Sequence, residues 1–361
     1  MDLRTYRQTE FAQQWIDAGR FGILNVAPRT GKTRIGIFAL QEIKCDRVLI
    51  AYPDNKIRDS WKKEFKIFDM DDEKFVTYTS FLSLHKYKEQ LFDIVIVDEI
   101  HLLSEAQLEI CEQLLLNNKV VMGLTGTLAY DTENVIKAYT GLNVVVFYPI
   151  ETAIEEGVVV DYEINIIQVA LDDKLPFKSG KNVRTEKKHY NHLCRVIEKF
   201  EENGKDTKLL RFNRMRFLQN LPSKRNLVKR LLIDYKDERV LVFCGTIKMA
   251  DSLGIPSHHS KSKSDEGFST FVEGKGNHFA VVKIGNTGVT FFPLSRVIIT
   301  AFDSNSENLT QKIFRSMSIE YNNPEKKALI YIISSTEKVE RNWLNRALEM
   351  FDRNKIKYIT S

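Results

Sequence analysis

Short runs of apolar, largely β-branched residues recur in the first part of the chain, and stretches of helical character separate them. Runs of this kind are typical of strands buried on both faces of a parallel sheet, whose connections are helices. The alternation therefore predicts a doubly wound α/β domain over residues 1–148. The runs that predict its strands are Phe21–Val26, Arg47–Ala51, Phe75–Tyr78, Phe92–Val97 and Val120–Leu124.

The same alternation returns near the end of the chain. There it predicts strands at Arg239–Phe243, Phe279–Val282, Arg296–Thr300 and Ala328–Ile333, and a closing helix at Lys338–Phe351. Between the two parts, residues 162–171 alternate like a strand, and residues 172–236 are charged and of helical character. We therefore expect a second α/β domain over residues 149–361, with a helical, basic insertion around 172–236.

Charge and cysteine usage restrict the classes of function only mildly. The formal net charge is +5, from 53 Lys and Arg against 48 Asp and Glu, which is compatible with a polyanionic partner without requiring one. The basic residues of segment 205–230 fit either phosphate contacts or a solvated helical face. Four widely separated cysteines form no C-x-x-C pair. Together with the absence of a long apolar run, they predict a cytoplasmic protein that does not enter a membrane.

The loop Ala27–Gly31, followed by Lys32 and Thr33, lies between a predicted strand and a predicted helix. A loop at a helix N-terminus directs several backbone N–H groups at one point, and the helix dipole adds positive potential there. Lys32 can reach β- and γ-phosphates, and the Thr33 hydroxyl can hold Mg²⁺. The sequence therefore predicts a nucleotide phosphate site, although Val26 stands where the full G-x-x-x-x-G-K-[ST] pattern has its first glycine.

Two adjacent carboxylates, Asp98 and Glu99, follow a buried strand. Ligands of open α/β sheets bind at the carboxyl ends of the strands, so this is the edge where a nucleotide is expected. One carboxylate there can hold Mg²⁺, and its neighbour can orient and deprotonate an attacking water. We therefore predict that Asp98 is a metal ligand and that Glu99 is the general base.

Three further segments complete an ordered pattern: Leu124–Thr127, Val242–Thr246 and Gln311–Arg315. With Lys32–Thr33 and Asp98–His101, they resemble the superfamily-two helicases and translocases. The chain is most similar to the DEAD/DEAH-like and restriction-subunit branch, and especially to phage-type members. The resemblance covers essentially the whole chain and implies two RecA-like domains with a cleft between them that closes on ATP.

The resemblance also implies a role for individual residues. Adenine would be read by Gln8, and ATP would also be bound by Arg29, Thr30, Gly31, Lys32, Thr33 and Gly288, the last in a segment that contacts both ATP and nucleic acid. Catalysis would use Asp98, Glu99, Gln311 and the arginine finger Arg315. Coupling to nucleic acid would use His101, Thr125 and Thr127, and contacts to the strand would come from Tyr52, Thr79 and Thr246. To the last group we add Arg211 and Arg214 of the basic segment.

The sequence departs from the family pattern at three of these segments. Arg7 separates Tyr6 from Gln8, whereas family members have the glutamine directly after the tyrosine. Thr290 occupies the position of an acid or amide that contacts ribose, and Ser318 the position of a second arginine. Ser318 is the largest departure, because it implies either slow hydrolysis or a finger supplied from elsewhere.

These observations predict an ATP- and Mg²⁺-dependent helicase or translocase that couples hydrolysis to movement along nucleic acid, with DNA favoured over RNA. Two alternatives stay open. One is a nucleotide-gated clamp that grips nucleic acid and hydrolyses ATP poorly, which Ser318 favours. The other is the motor part of a larger replication, repair or restriction complex with protein partners. If the chain is phage-encoded, its location is the host cytoplasm.

Overall fold

A computed structural model describes residues 2–179, 182–262, 264–282, 294–304, 306–314, 317, 326–349 and 351–360. The chain divides into two compact units, Met1–Val159 and Val160–Ser361. Each unit is built on one parallel sheet with helices along the chain between its strands. The α/β prediction is therefore confirmed for both units.

The first unit contains a sheet with the strand order β3-β2-β4-β5-β1-β6. Its strands are β1 (Phe21–Val26), β2 (Val48–Tyr52), β3 (Val76–Ser80), β4 (Ile94–Asp98), β5 (Val121–Thr125) and β6 (Val144–Tyr148). Its helices are α1 (Leu3–Asp17), α2 (Lys32–Ile43), α3 (Asn55–Ile67), α4 (Glu105–Asn117), α5 (Tyr130–Thr140) and α6 (Ile150–Glu155). Every residue of β2, β4 and β5 is buried, which explains why these strands have no polar alternation in the sequence.

The second unit contains a sheet with the strand order β11-β12-β10-β13-β14-β7-β15 and a separate hairpin, β8-β9. Its strands are β7 (Asp161–Val169), β8 (Pro176–Ser179), β9 (Asn182–Thr185), β10 (Val240–Cys244), β11 (Ser257–His258), β12 (His278–Val282), β13 (Arg296–Ile299), β14 (Lys327–Ser335) and β15 (Ile356–Thr360). Its helices are α7 (Glu186–Glu202), α8 (Lys208–Leu218), α9 (Pro222–Asp234), α10 (Ile247–Asp251), α11 (Glu266–Val272), α12 (Ser306–Phe314) and α13 (Lys338–Leu348).

Two local predictions for the second unit were wrong. The predicted insertion is not helical throughout, because β8 and β9 pair as an antiparallel hairpin that packs through Phe177 onto Phe217, with ring centroids 5.8 Å apart. The closing helix ends at Leu348, and β15 follows it as an edge strand. The strand predicted at residues 162–171 corresponds to β7, which pairs with β14 over nine residues, Asp161–Val169, and with β15.

All strands of each large sheet are parallel, so their carboxyl ends lie at a common edge. In the first unit the loops after β1, β4 and β5 therefore open on the same side. These loops carry residues Ala27–Gly31, Glu99 and Thr127, and Asp98 is the last residue of β4. Within the described residues, no helix combines the length and apolar composition that crossing a membrane requires.

Candidate functional site

The loop Ala27–Gly31, called the phosphate loop below, turns sharply between β1 and α2. Both the backbone N–H and the hydroxyl of Thr30 donate to the Ala27 carbonyl oxygen, at 3.2 and 2.7 Å. Gly31 precedes α2 with φ at 100°, a left-handed conformation that favours glycine. A Cβ atom there would lie 2.3 Å from Gln8 Nε2, so any larger residue would displace Gln8.

Helix α1 holds the phosphate loop from one side. Arg4 and Gln8 lie one turn apart on that helix, and both donate to the Thr30 carbonyl oxygen, at 3.2 Å from Arg4 Nε and 2.6 Å from Gln8 Nε2. Arg4 also donates to the carbonyl of Arg29. Arg7, the residue inserted before Gln8, instead forms an ion pair with Glu156. Gln8 and Arg4 reach the same carbonyl because residues four apart lie on one face of a helix. Arg4 was not predicted from the sequence.

The amide of Gln8 is only half satisfied. Its nitrogen donates to Thr30, whereas its Oε1 atom is buried and accepts no hydrogen bond within the described residues. A buried carbonyl without a donor costs free energy, so the site would gain from a ligand that brings an N–H group. An exocyclic amine such as that of adenine carries such a group.

The carboxylate of Asp98 is fixed at the end of β4. Its Oδ2 accepts from Trp61 Nε1 at 2.9 Å, and its Oδ1 accepts from the backbone N–H of Glu99 at 3.0 Å. Trp61 is fully buried and packs against Gly36, where a Cβ atom would lie 2.4 Å from the indole. The sequence reading missed Trp61, which orients Asp98.

The carboxylate of Glu99 turns towards α2. Glu99 has a φ of 53°, a left-handed conformation that is uncommon outside glycine. Its Oε1 lies 2.9 Å from Lys32 Nζ. The two residues predicted to act on the γ-phosphate and on the attacking water are thus in direct contact.

Asp98 and Glu99 have pKa values that are shifted in opposite directions. Burial and the adjacent charge of Glu99 raise the pKa of Asp98 to about 6. Burial by itself would also raise the pKa of Glu99, but the charge of Lys32, with a further contribution from His101 when its ring is protonated, brings it below its ordinary value. Glu99 is therefore the carboxylate that stays ionised more readily, as a general base must.

A polar chain leads from Glu99 to the end of β5. His101 Nδ1 lies 3.6 Å from Glu99 Oε2 and 2.9 Å from Thr125 Oγ1, and His101 Nε2 lies 3.5 Å from Thr127 Oγ1. Burial lowers the pKa of His101 to about 4, so its ring is neutral near pH 7. A neutral imidazole carries one donor and one acceptor, so it can connect the two threonines directionally.

The residues around the phosphate loop suit a magnesium nucleotide. Thr33 and Asp98 offer a hydroxyl and a carboxylate, the hard oxygen ligands that Mg²⁺ prefers. Burial and the nearby charge of Arg4 lower the pKa of Arg29 to about 10, so an incoming polyanion would relieve repulsion between two cations. Within the described residues, no cluster of three or more His, Cys, Asp or Glu side chains could hold a metal by itself. Substrate oxygens would have to complete the ligand set.

The predicted nucleic-acid contacts of the first unit lie at the same sheet edge. Tyr52 ends β2, and Thr79 lies beside it near the end of β3. Both side chains are buried, at 4% and 3% exposure, so a strand would reach backbone atoms here more readily than these side chains. Their nucleic-acid role stays a prediction.

The predicted site residues of the second unit are distributed over several elements. Thr246 precedes α10, where its hydroxyl accepts from Met249 N–H at 3.1 Å and contacts Asn220 Oδ1 at 3.2 Å. Gln311 is half-buried on α12. Arg211 and Arg214 lie on α8, where Arg211 pairs with Glu201 and Arg214 contacts Cys194 Sγ at 3.6 Å.

Other residues predicted from the sequence lie outside the described residues: Gly288, Thr290, Arg315 and Ser318.

One residue of the basic segment 205–230 neither contacts phosphates nor lies on a solvated face. Lys224 is fully buried and forms an ion pair with Glu340, with N–O distances of 2.7 and 2.8 Å. Its charge is used inside the second unit, so it is not available to phosphates.

Comparison with known proteins supports the fold without assigning the activity. No family model and no curated protein sequence matches the chain. Among solved structures, a fragment described as the HsdR subunit of a type I restriction enzyme from Vibrio vulnificus YJ016 is 14% identical, with a TM-score of 0.61. That match covers 97% of this chain and 66% of the fragment, so the chain spans slightly less than two thirds of it.

Two further structures resemble the chain to a similar degree. Dbp5 of S. cerevisiae, bound to RNA and ADP-BeF3, is 11% identical with a TM-score of 0.59, covering 94% of this chain and 85% of Dbp5. The DUF1998 helicase MrfA bound to DNA is 12% identical with a TM-score of 0.60, covering 98% of this chain and 49% of MrfA. The chain therefore has the fold of the superfamily-two helicases, with two RecA-like units.

Proposed function

We propose that the protein is an ATPase stimulated by nucleic acid, which couples hydrolysis to movement along the strand or to unwinding. One observation supports this more than any other. Lys32 and Glu99 meet at 2.9 Å at the carboxyl edge of a parallel sheet, beside the buried carboxylate of Asp98. An ammonium, a base and a metal-binding carboxylate at one point are the groups that phosphoryl transfer to water requires.

The Lys32–Glu99 pair gives the site a way to hold its base until substrate binds. The γ-phosphate of ATP would compete with Glu99 for the ammonium of Lys32, because both are anions. Release of Lys32 would leave the Glu99 carboxylate free to accept a proton from water. The left-handed backbone at Glu99 directs that carboxylate away from the strand and towards α2.

The remaining residues would hold and orient the nucleotide. When bound, Mg²⁺ would neutralise charge on the phosphate oxygens, with Thr33 and Asp98 as its protein ligands. The hydrogen bond from Trp61 to Asp98 fixes the direction of that carboxylate. Gln8 would accept a hydrogen bond from the base through its unpaired Oε1. Gly288, Gln311 and the arginine finger Arg315 stay predictions from the family resemblance.

Coupling would run through the polar chain at the end of β5. A change in the position of Glu99 alters the partner that His101 faces at 3.6 Å, and His101 contacts both Thr125 and Thr127. Thr125 ends β5 and Thr127 lies in the loop after it, on the edge that also carries Tyr52 and Thr79. Dbp5 and MrfA, which share the fold, are bound to RNA and DNA respectively. The preference for DNA over RNA stays a prediction.

Steady-state ATP hydrolysis tests the proposal. The full chain is assayed alone and with single-stranded DNA, duplex DNA, branched DNA and RNA, beside Lys32→Ala as a control for contaminating ATPases. We expect at least one nucleic acid to raise the rate for the parent and none to raise it for the variant. A parent rate that matches Lys32→Ala under all conditions would contradict the proposal.

A second candidate is a motor subunit of a larger assembly. The likeness to an HsdR subunit fragment, whose length this chain spans by 66%, favours this candidate. It predicts weak movement by the chain alone but normal stimulation of hydrolysis. The clamp alternative, which Ser318 favours, predicts nucleotide-dependent binding of nucleic acid with little turnover. Parallel measurements of ATP turnover and of strand displacement on the same samples separate the independent motor, the motor subunit and the clamp.

A further inference from the structure

A cavity of about 660 Å³ opens in the second unit beside the start of α10. Its polar lining comes from three elements that are distant in sequence: α8, α10 and the loop after β11. The polar residues that line it are Arg216, Thr246, Lys248, Asp251, Ser252 and Lys261. We call this space the α8–α10 cavity.

The α8–α10 cavity carries an excess of positive charge. Arg216, Lys248 and Lys261 are all exposed, and none forms an ion pair with any residue that the structure describes. The single carboxylate, Asp251, is already engaged by His259 Nε2 at 3.1 Å and by the Ser257 hydroxyl at 3.3 Å. Three cations against one carboxylate leave this concave surface with a net positive charge, which attracts a polyanion.

Helix α8 adds an aromatic ring next to these cations. Phe212 lies one turn before Arg216, so the two side chains share a face of the helix. The Arg216 guanidinium lies 5.7 Å from the centroid of the Phe212 ring, and the phenylalanine is 47% exposed. An exposed ring beside an arginine is the combination on which unpaired bases stack in single-strand-binding proteins.

The end of α8 is fixed against the segments that follow β10 and β13. Leu218 is fully buried, and Gln219 Nε2 donates to the Phe302 carbonyl at 3.2 Å. Asn220 then contacts the Thr246 hydroxyl at 3.2 Å. Arg216 is therefore held near the predicted strand contact Thr246 by a rigid connection.

From these contacts we propose that α8 extends the nucleic-acid track of the second unit. Arg216, Lys248 and Lys261 hold the phosphates of a single strand in the α8–α10 cavity, and Phe212 stacks on one of its bases. An unpaired strand is specified because a ring can stack only on a base that is free of its neighbours. The inference rests on the proposed function and adds a surface that the predicted contacts Arg211 and Arg214 do not include.

Salt-dependent binding tests the phosphate contacts. The affinity of the full chain for labelled oligo(dT) and oligo(rU) is measured over a range of salt concentrations, and the two oligomers separate DNA from RNA. The double variant Arg216→Ala/Lys248→Ala is compared with Lys229→Ala/Arg230→Ala, which removes the same charge from exposed positions of α9 outside the cavity. For a single strand, the log–log salt slope should flatten by about 0.7 per lost contact in the first variant only.

Stacking has its own test on the same oligomers. Phe212→Leu keeps an apolar side chain but removes the ring, and it should weaken binding roughly five- to a hundredfold without changing the salt slope. Phe212→Tyr restores a ring and should bind like the parent. A surface that docks an acidic protein would tolerate Phe212→Leu and would leave oligomer binding unchanged in all of these variants.

The outcomes distinguish this inference from the proposed function. If the parent binds and hydrolyses normally but the cavity variants keep its affinity and salt slope, the inference is wrong and the proposed function stands. If the control pair on α9 flattens the slope equally, the effect is net charge, and the cavity assignment is again wrong. If the parent binds neither oligomer and no nucleic acid stimulates it, both proposals fail.

Discussion

Two Lys–Glu ion pairs, one in each unit, have nearly the same length but different surroundings. In the first unit, Lys32 and Glu99 meet at 2.9 Å with side-chain exposures of 15% and 23%. In the second, Lys224 and Glu340 meet at 2.7 Å with no exposure of either side chain. The second pair is also saturated, because both Glu340 oxygens accept from Lys224 and one accepts from Ser335 N–H at 2.5 Å.

This difference separates a pair that can exchange partners from one that cannot. A buried pair is costly to break, because the group left behind is a charge without water or partner. A partly open pair at a sheet edge can be broken by a competing anion, since water and ligand replace the lost contact. We infer that Lys224–Glu340 stabilises the second unit and that Lys32–Glu99 is available for chemistry.

The largest expected effect is that of Lys32→Ala on turnover. The phosphate loop would lose its ammonium on the β- and γ-phosphates, so hydrolysis should fall on the order of 10³-fold or more, with weaker ATP binding. The thermal midpoint should change little, because Glu99 is left partly exposed to water. Lys66→Ala, an exposed charge on α3, serves as the control and should match the parent in both measurements. If Lys32→Ala unfolds instead, the Lys32–Glu99 pair stabilises the fold as the Lys224–Glu340 pair does, and the proposed difference between them is wrong.

Glu99→Gln should separate binding from chemistry. The amide cannot accept the proton of water, and removal of a general base typically lowers the rate by about 10²–10⁴. ATP should still bind in the presence of Mg²⁺, whereas Asp98→Asn should lose metal-dependent binding. Glu109→Gln, exposed on α4, is the matched control. If Glu99→Gln loses ATP binding and Asp98→Asn keeps it, the roles of the two carboxylates are reversed.

Lys224→Met tests the buried Lys224–Glu340 pair. The substitution leaves Glu340 buried without its cation, which should lower the free energy of unfolding by about 3–5 kcal/mol. Adding Glu340→Leu should recover only part of that loss, because an apolar pair needs no charge but leaves the buried Ser335 N–H without its acceptor. Urea unfolding measures both variants. A single variant as stable as the parent would show that water reaches the pair.

Much of the fold could be predicted because buried parallel strands have a distinct composition. The residues of β4 and β10 are all buried, and their sequences are nearly continuous apolar runs. The strands β7 and β15 were harder, because their place in the sheet depends on pairing between residues far apart in the chain. Sequence periodicity reports burial and does not report which strands become neighbours.

The site residues that directly follow strands could be predicted from the sequence. The residues that orient those side chains could not. The loop and carboxylate motifs identified Lys32 and Glu99, which the structure brings into contact, although their chemical roles stay predictions. Trp61 is one aromatic residue on an amphipathic helix, a pattern that ordinary core residues share. Lys224 was grouped with basic neighbours because its partner, Glu340, lies 116 residues further along the chain. The likeness to phage-type family members also stays a prediction.

The smallest expected effect concerns recognition of the base, and it compares two residues of α1. Arg4 and Gln8 both donate to the Thr30 carbonyl, so loss of either should loosen the phosphate loop. Only Gln8 also has a buried oxygen without a donor among the described residues. A base amine that satisfies this oxygen would favour ATP over GTP, whose carbonyl at the equivalent position would instead repel it.

We therefore expect Arg4→Ala to weaken ATP and GTP binding by the same factor. Gln8→Ala should weaken ATP binding by a further factor of about two to ten, the value of one hydrogen bond, and should leave GTP binding no weaker than Arg4→Ala does. Competition between the two nucleotides for a fluorescent analogue measures both factors. Equal loss of selectivity in the two variants would mean that the loop as a whole sets the preference. Unchanged selectivity in Gln8→Ala would assign base recognition to another residue and leave Gln8 with the loop-supporting role that it shares with Arg4.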